Sequence, residues 1–143
     1  FGKRFISVGF YALVDFRKVK PTPDLFSDRC DWVSLTADVS MLLDHKQIIQ
    51  EAISTLRLQL NQQPIGLKLL PHKFTMPELQ TLYETILGRD LDRRNFQRKI
   101  LNYNILDKLR ERKTGGAHKS PYFYSFNVER YKKALEEGLS GIW

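Results

Sequence analysis

Residues 93–102 bring guanidinium, ammonium and carboxamide side chains together within one predicted helix. If Phe96 points to a core, Arg94 and Arg98 lie on the opposite face, because a helix turns about 100° per residue. Arginine can bind guanine through two hydrogen bonds, and asparagine or glutamine can bind adenine in the same way. The candidate base- and phosphate-binding residues of this stretch are Arg93, Arg94, Asn95, Gln97, Arg98, Lys99 and Asn102. A solvated, arginine-rich helix face is the alternative interpretation.

A second basic group follows in a predicted hairpin, whose strands cover residues 105–114 and 120–126 around Gly115-Gly116. Lys108, Arg110 and Arg112 recur at every second residue, so one face of a strand would carry them. Cations in this position suit nucleic-acid phosphates, although lysines that protect an edge strand from aggregation give the same pattern. The candidate residues are Lys108, Arg110, Arg112, Lys113, His118 and Lys119, whereas Tyr122, Phe123, Tyr124 and Phe126 are expected to form hairpin core.

The positive charge of the chain is concentrated in one segment. Residues 88–119 contain 10 basic and 4 acidic side chains, which accounts for +6 of the net charge of +7. An even spread would indicate only solubility, but this focus predicts a surface that binds a polyanion. Cys30 is the single cysteine and cannot form an internal disulfide, and no apolar run approaches the roughly 20 residues needed to cross a bilayer. We therefore expect a cytoplasmic protein without a membrane partner.

The elements that position these residues fall into two predicted domains, 1–62 and 63–137, which meet at the helix-breaking segment 61–64. Apolar, β-forming residues predict strands over 5–14 and 31–35. Asp44 is a candidate N-cap for a helix that continues to about Leu60 with one apolar face.

The second predicted domain contains short helices in quick succession. Helices are expected over 64–70, from the capping box Thr75-Met-Pro-Glu78 to Gly88, and from Asp92 to about Tyr103. The hairpin follows, and a last helix is predicted over 128–137. Helices followed by a basic hairpin have the order of a winged helix domain, in which the third helix enters the major groove of DNA.

Patterns typical of catalysis or metal binding are absent from the sequence. His45, His72 and His118 lack the spacing of metal ligands with Cys30 or with one another. Asp44-His45 is better explained by helix capping than by acid–base chemistry. No serine triad context and no glycine-rich phosphate loop occur. We expect no catalytic residue, no metal and no cofactor.

Four segments carry a family resemblance: Leu69-Leu-Pro-His-Lys-Phe-Thr75, Glu78-Leu-Gln-Thr-Leu-Tyr-Glu84, Ile86-Leu-Gly88 and Leu91-Asp-Arg-Arg-Asn-Phe-Gln-Arg-Lys99. Together they resemble the C-terminal domain of the Nudix-related transcriptional regulators. The upstream segments are similar to the second half of that family's Nudix-like domain; they are Val8-Gly-Phe-Tyr-Ala-Leu13, the strand with Trp32, and Leu43-Asp-His-Lys-Gln-Ile48.

The resemblance implies an α+β fold in which a partial Nudix-like α/β domain precedes a winged helix-turn-helix domain. It also implies a repressor or activator that binds double-stranded operator DNA as a homodimer. The Nudix-like domain would sense a small-molecule effector, either a sugar or a nucleotide metabolite.

The chain departs from the family pattern in two places. Family members often carry an Arg-Pro pair at the wing tip, where this chain has Gly115-Gly-Ala-His-Lys-Ser-Pro121, which makes Lys119 the candidate replacement for the arginine. The helix with spaced glutamates that defines Nudix hydrolases is also missing, and Glu136-Glu137-Gly138 matches only its tail. We therefore expect no enzyme activity from this chain itself.

Two alternatives remain open. One is a Nudix hydrolase that acts on a nucleoside diphosphate derivative, with its catalytic half outside this chain. The other is a winged helix that binds proteins and not DNA, which the charge focus at 88–119 disfavours.

Overall fold

The computed structural model describes residues 6, 8–114 and 120–139. The chain divides into two compact units, Phe1–Ala52 and Ile53–Trp143. The predicted domain limits, 1–62 and 63–137, stay a prediction. The elements in chain order are α1 (His45–Gln62), β1 (Phe74–Thr75), α2 (Met76–Leu87), α3 (Arg93–Asn102), β2 (Leu106–Arg112), β3 (Tyr122–Phe126) and α4 (Val128–Glu137).

The described part of the first unit contains turns and the beginning of α1, but no strand. The predicted strands at 5–14 and 31–35 are therefore wrong over their described residues. A strand needs a neighbour that accepts and donates its backbone hydrogen bonds, and no pairing partner lies within the described residues. The apolar side chains of Val8 and Phe10 are consequently 76% and 92% exposed.

Helix α1 confirms the prediction of a helix after Asp44. The Asp44 carbonyl oxygen accepts a hydrogen bond from the Ile48 amide at 3.0 Å, and the helix continues two residues beyond Leu60. Leu60 is fully buried and belongs to the hydrophobic core of the second unit. The end of this helix therefore contributes to the core beside α2 and α3.

The predicted helix over 64–70 is a single turn. The amides of Leu69 and Leu70 both donate to the Gly66 carbonyl oxygen at 3.0 Å. Gly66 has a φ of 136°, which lies outside the helical region and prevents the turn from extending backwards. A Cβ atom at this position would lie 2.9 Å from the Phe126 ring, so the glycine also permits close packing.

Helices α2 and α3 begin at the predicted signals, and α4 covers the predicted residues 128–137. At the start of α2 the Thr75 amide donates to a Glu78 carboxylate oxygen at 2.7 Å, and Gly88 ends the helix in the left-handed region. Asp92 caps α3, and Asn127 caps α4 by accepting a hydrogen bond from the Arg130 amide. These local signals confirm the predicted helix limits to within one or two residues.

The sheet has the strand order β1-β3-β2 and is antiparallel throughout. Phe74 pairs with Tyr124, and Leu106 pairs with Phe126. Helices α2 and α3 meet at Tyr83 and Phe96, whose rings are 5.5 Å apart in an edge-to-face arrangement. The predicted winged helix is confirmed in α2, α3, α4 and both strands of the hairpin, while residues 115–119 at its turn lie outside the described residues.

Candidate nucleic-acid interface

Helix α3 buries one face and exposes the other as predicted. Phe96 is 2% exposed and Ile100 is fully buried, while Arg94 and Arg98 lie on the exposed side. At the start of the helix, the Asp92 side chain accepts a hydrogen bond from the Asn95 amide at 2.9 Å. The burial of Phe96 thus sets the direction in which the arginines point.

Most of the predicted site residues are solvent-accessible. The exposed ones are Arg93, Arg94, Asn95, Arg98, Asn102, Lys108, Arg110, Arg112 and Lys113. Gln97 and Lys99 are half-buried. Burial, followed by the positive charge of Arg89, lowers the pKa of Lys99. His118 and Lys119 lie outside the described residues.

Two residues of the exposed face contact each other. The Arg98 guanidinium donates to the Asn95 side-chain oxygen at 3.1 Å, across one helical turn. This contact restricts the rotamers of both side chains before any ligand is bound, which lowers the entropy cost of ordering them on binding.

A polar clamp holds the turn between α2 and α3. Gln80 donates one hydrogen bond to Glu84 and another to the Leu91 carbonyl oxygen, both at 2.8 Å. The Leu91 amide in turn donates to the Glu84 carboxylate at 3.0 Å. The hydrogen bonds from Gln80 and Leu91 lower the pKa of Glu84. Sequence analysis missed the pair of Gln80 and Glu84, although their spacing of four residues on one helix was the available signal.

The hairpin of β2 and β3, which is the wing of the winged helix domain, is also attached to α2. Lys113, which follows β2, donates to the Glu78 carboxylate at 2.8 Å, and its amide donates to the Pro121 carbonyl oxygen at 2.9 Å. Burial raises the pKa of Glu78, but hydrogen bonds from Lys113 and Thr75 outweigh it, and the net pKa is lowered. Helix α2 therefore supports both the turn before α3 and the base of the wing.

The expected alternation along β2 is interrupted. Lys108 pairs with Tyr124 and Arg112 pairs with Tyr122, so the register shifts between the two cations, in the part of β2 that contains Arg110. Lys108 and Arg112 nevertheless converge on one ring, because both side chains lie over Tyr122. The structure brings these two predicted residues together and does not place Arg110 with them.

Tyr122 is a residue that sequence analysis assigned to the hairpin core. It is only half-buried, and its hydroxyl accepts a hydrogen bond from Arg112. That hydrogen bond and the charge of Arg112 lower the pKa of Tyr122. The sequence signal was weak, because the pairing of Tyr122 with Arg112 depends on a register shift that spacing does not reveal.

The acidic side chains near the wing are paired with cations other than the predicted site residues of β2. Glu111 bonds to Lys73 at 2.7 Å, and Asp107 bonds to Arg130. Within residues 6, 8–114 and 120–139, no ion pair involves Lys108, Arg110 or Arg112. The charge of these three is therefore available to an external anion.

Other kinds of site were also sought. Within the described part of the chain, no group of three or more His, Cys, Asp or Glu side chains could hold a metal ion. None of the described helices is both long and apolar enough to cross a membrane.

Comparison with known proteins matches this architecture. Residues 66–126 match the family model described as the NrtR DNA-binding winged helix domain. A relative from Acinetobacter baylyi, named ADPR responsive transcriptional repressor NtrR, is 26% identical over 133 residues, which cover 87% of this chain and 53% of the relative. This chain thus spans about half the length of that relative. The predicted resemblance to the Nudix-related transcriptional regulators is confirmed.

Two solved structures share the fold. Both are of Shewanella oneidensis NrtR, and each comparison covers 71% of this chain and 44% of the other. The one complexed with a 27mer DNA has a TM-score of 0.55 at 20% identity. The other has a TM-score of 0.54 at 22% identity.

Proposed function

We propose that this chain is part of a sequence-specific transcriptional regulator, because residues 66–126 match the family model of the NrtR DNA-binding winged helix domain. The observation that carries the proposal is the exposed face of α3. Arg94 and Arg98 project from a helix whose other face is fixed in the core by Phe96 and Ile100. Helices of this kind read base edges in the major groove.

The residues of the interface have different proposed roles. Arg94 and Arg98 contact bases, while Arg93, Lys99, Lys108, Arg110 and Arg112 contact phosphates. The side-chain amides of α3 support base recognition; they belong to Asn95, Gln97 and Asn102. The basic residues near the wing tip add phosphate contacts; they are Lys113, His118 and Lys119.

A binding experiment separates the two roles. The full-length protein and its Arg94→Ala and Lys108→Ala variants are titrated with a duplex selected from a random pool and with a scrambled duplex. Arg94→Ala should lose about 1–3 kcal/mol on the selected duplex and little on the scrambled one. Lys108→Ala should weaken both duplexes alike.

Lys132→Ala on α4 is the matched control, because Lys132 is exposed and lies outside the proposed interface. It should bind both duplexes as the unaltered protein does. Equal losses of Arg94→Ala and Lys108→Ala on both duplexes would contradict the assignment of roles.

The effector of the regulator is proposed to be a nucleotide metabolite, such as ADP-ribose, bound by the Nudix-like part. The Acinetobacter baylyi relative, whose name describes it as ADPR responsive, supports this class of effector. In the full-length protein, ADP-ribose should change the affinity for the selected duplex, as measured by fluorescence anisotropy. No change in affinity would contradict an ADP-ribose effector.

The regulator is proposed to act without catalysis and in the cytoplasm, where its DNA target is located. Nudix hydrolysis needs clustered carboxylates that hold a divalent cation beside the pyrophosphate. The test is turnover of ADP-ribose and nucleoside diphosphate sugars with magnesium or manganese. Turnover that disappears when a carboxylate of this chain is removed would favour the hydrolase alternative.

The working unit is proposed to be a homodimer on a two-fold symmetric operator. One winged helix covers roughly 600–1,000 Å² of DNA-binding surface, which is small for the recognition of a unique genomic site. When one winged helix of a dimer is bound to DNA, the second is held at a high effective concentration near the other half-site. The affinity therefore increases without new kinds of contact. Footprinting and light scattering should show two half-sites and a dimeric mass, whereas a monomer that protects one half-site would oppose the proposal.

A further inference from the structure

We propose that Tyr122 is a positioning residue of the wing, which holds Lys108 and Arg112 together as one binding site for a single DNA backbone phosphate. This inference rests on the proposed DNA-binding function and assigns a new role to a tyrosine that sequence analysis placed in the hairpin core.

Three contacts join the residues of this site. The Lys108 Nζ atom lies 3.8 Å from the centroid of the Tyr122 ring. The Arg112 Cζ atom lies 4.1 Å from the same centroid. The Arg112 guanidinium also donates a hydrogen bond to the Tyr122 hydroxyl. One ring therefore orients two cations that are four residues apart on β2.

Lys108 and Arg112 carry like charges beside one ring, and an anion that binds both would offset their mutual repulsion. The neighbouring carboxylates do not serve this purpose, since Glu111 binds Lys73 and Asp107 binds Arg130. An external phosphate would accept hydrogen bonds from both cations and remove the repulsion.

Preorganisation is the advantage of this arrangement. Lysine and arginine lose rotamer entropy when they are fixed on a ligand, and a ring that already restricts them lowers that cost. The ring also attracts both cations through its negative face. The lowered pKa of Tyr122 is consistent with the contact to Arg112.

The test compares the full-length protein with its Tyr122→Leu and Tyr122→Phe variants on the selected and scrambled duplexes. Tyr122→Leu removes the ring and should weaken binding to both duplexes alike, by about three- to tenfold. Tyr122→Phe keeps the ring and loses only the hydrogen bond from Arg112, so its loss should be smaller. Equal thermal unfolding midpoints show that the hairpin is retained.

A double-mutant cycle separates positioning from simple packing. Tyr122→Leu should cost much less affinity when Lys108→Ala and Arg112→Ala are already present, because the cations it positions are gone. It should cost its full amount in an Arg110→Ala background, since Arg110 makes no described contact with the ring. The slope of log binding constant against log salt concentration reports how many phosphates the protein neutralises. In the Lys108→Ala, Arg112→Ala protein this slope should decrease by the amount expected for one phosphate, and not for two.

The failures are distinguishable. If the unaltered full-length protein does not bind duplex DNA, the proposed function is wrong and this inference with it. If that protein binds DNA but Tyr122→Leu binds equally well, or loses the same factor in every background, only the inference is overturned. Should Tyr122→Leu fail to fold, Tyr122→Phe combined with Arg112→Ala decides, because additive losses would contradict a shared site.

Discussion

The Arg57 guanidinium on α1 donates a hydrogen bond from Nε to the carbonyl oxygen of Ile86 in the last turn of α2, over 3.0 Å. The carbonyl groups at a helix C-terminus lack partners within the helix, and a cation beside them is favourable for the helix dipole. The same guanidinium occupies the space beside Gly88, where a Cβ atom would lie 2.6 Å from Arg57 Nη2. Arg57 and the end of α2 are thus fitted to each other.

Substitution of Gly88 tests this fit. Gly88→Ala places a side chain at a φ of 70°, which costs about 1–2 kcal/mol, and it also displaces Arg57 from Ile86. Arg57→Ala should cost roughly 0.5–1.5 kcal/mol through the lost hydrogen bond. Since Gly88→Ala already breaks that bond, the double variant should be less destabilised than the sum, as measured by urea unfolding. Strict additivity would contradict the coupling.

The N-cap of α3 offers a second prediction. Asp92→Ala removes the acceptor for the Asn95 amide and should lower the free energy of unfolding by about 0.5–2 kcal/mol. Asp92→Asn keeps a capping side chain and should retain most of the stability. Asp90→Ala changes an exposed neighbour and is the control. A loss for Asp92→Ala no larger than that for Asp90→Ala would show that the cap contributes little.

A buried hydrogen bond provides the third prediction. The Tyr131 hydroxyl on α4 donates to the Pro64 carbonyl oxygen at 2.6 Å. Tyr131→Phe leaves that carbonyl without its partner and should cost about 1–3 kcal/mol in urea unfolding. Tyr124→Phe is a matched control, because no hydrogen bond joins its hydroxyl to the described residues. Equal effects of the two substitutions would be evidence against the role of this bond.

The fourth prediction concerns acid stability. The folded protein lowers the pKa of Glu78 below its ordinary value of 4.5, so its ionised form stabilises the fold above that pH. This contribution is lost as the pH falls through the lowered pKa. Glu78→Gln should therefore reduce the melting temperature at pH 7, and the difference from the unaltered protein should shrink below about pH 4.5.

Melting curves between pH 7 and pH 3.5 measure this difference. Glu136→Gln, an exposed carboxylate on α4, is the control and should change the melting temperature little at any pH. A deficit of Glu78→Gln that is the same at every pH would mean that its charge is not the cause.

Local signals explain which parts of the fold were predictable. The capping residues Thr75, Asp92 and Gly88 act within one helical turn of themselves, so their effect can be read directly from sequence. The apolar spacing of Phe96 and Ile100 likewise predicted which face of α3 is buried, and hence where its arginines lie. These few residues therefore predict the exposed face of α3 that is proposed to contact bases.

The remaining features depend on contacts between distant residues. The turn at 67–70 replaces a helix because Gly66 adopts a φ of 136° against the Phe126 ring, which propensity does not show. Tyr122 lies directly opposite Arg112 only because the register of β2 shifts after Lys108. The apolar, β-forming residues at 5–14 and 31–35 predicted strands. A strand also needs a second strand to pair with, and the residue pattern within one segment does not reveal whether such a partner is present.

The hydrogen bond between Tyr131 and Pro64 has a consequence for synthesis of the chain. Its two residues are 67 positions apart, and the Leu139 amide closes a similarly long span by donating to the Gln62 carbonyl oxygen at 2.7 Å. On the ribosome, residues 62–64 therefore emerge well before the groups that bind them. Until α4 has left the exit tunnel, these carbonyl groups are bound by water, and the Phe126 ring lacks its edge-to-face contact with Tyr131. The packing around residues 62–64 can therefore be completed only after the last helix has been released.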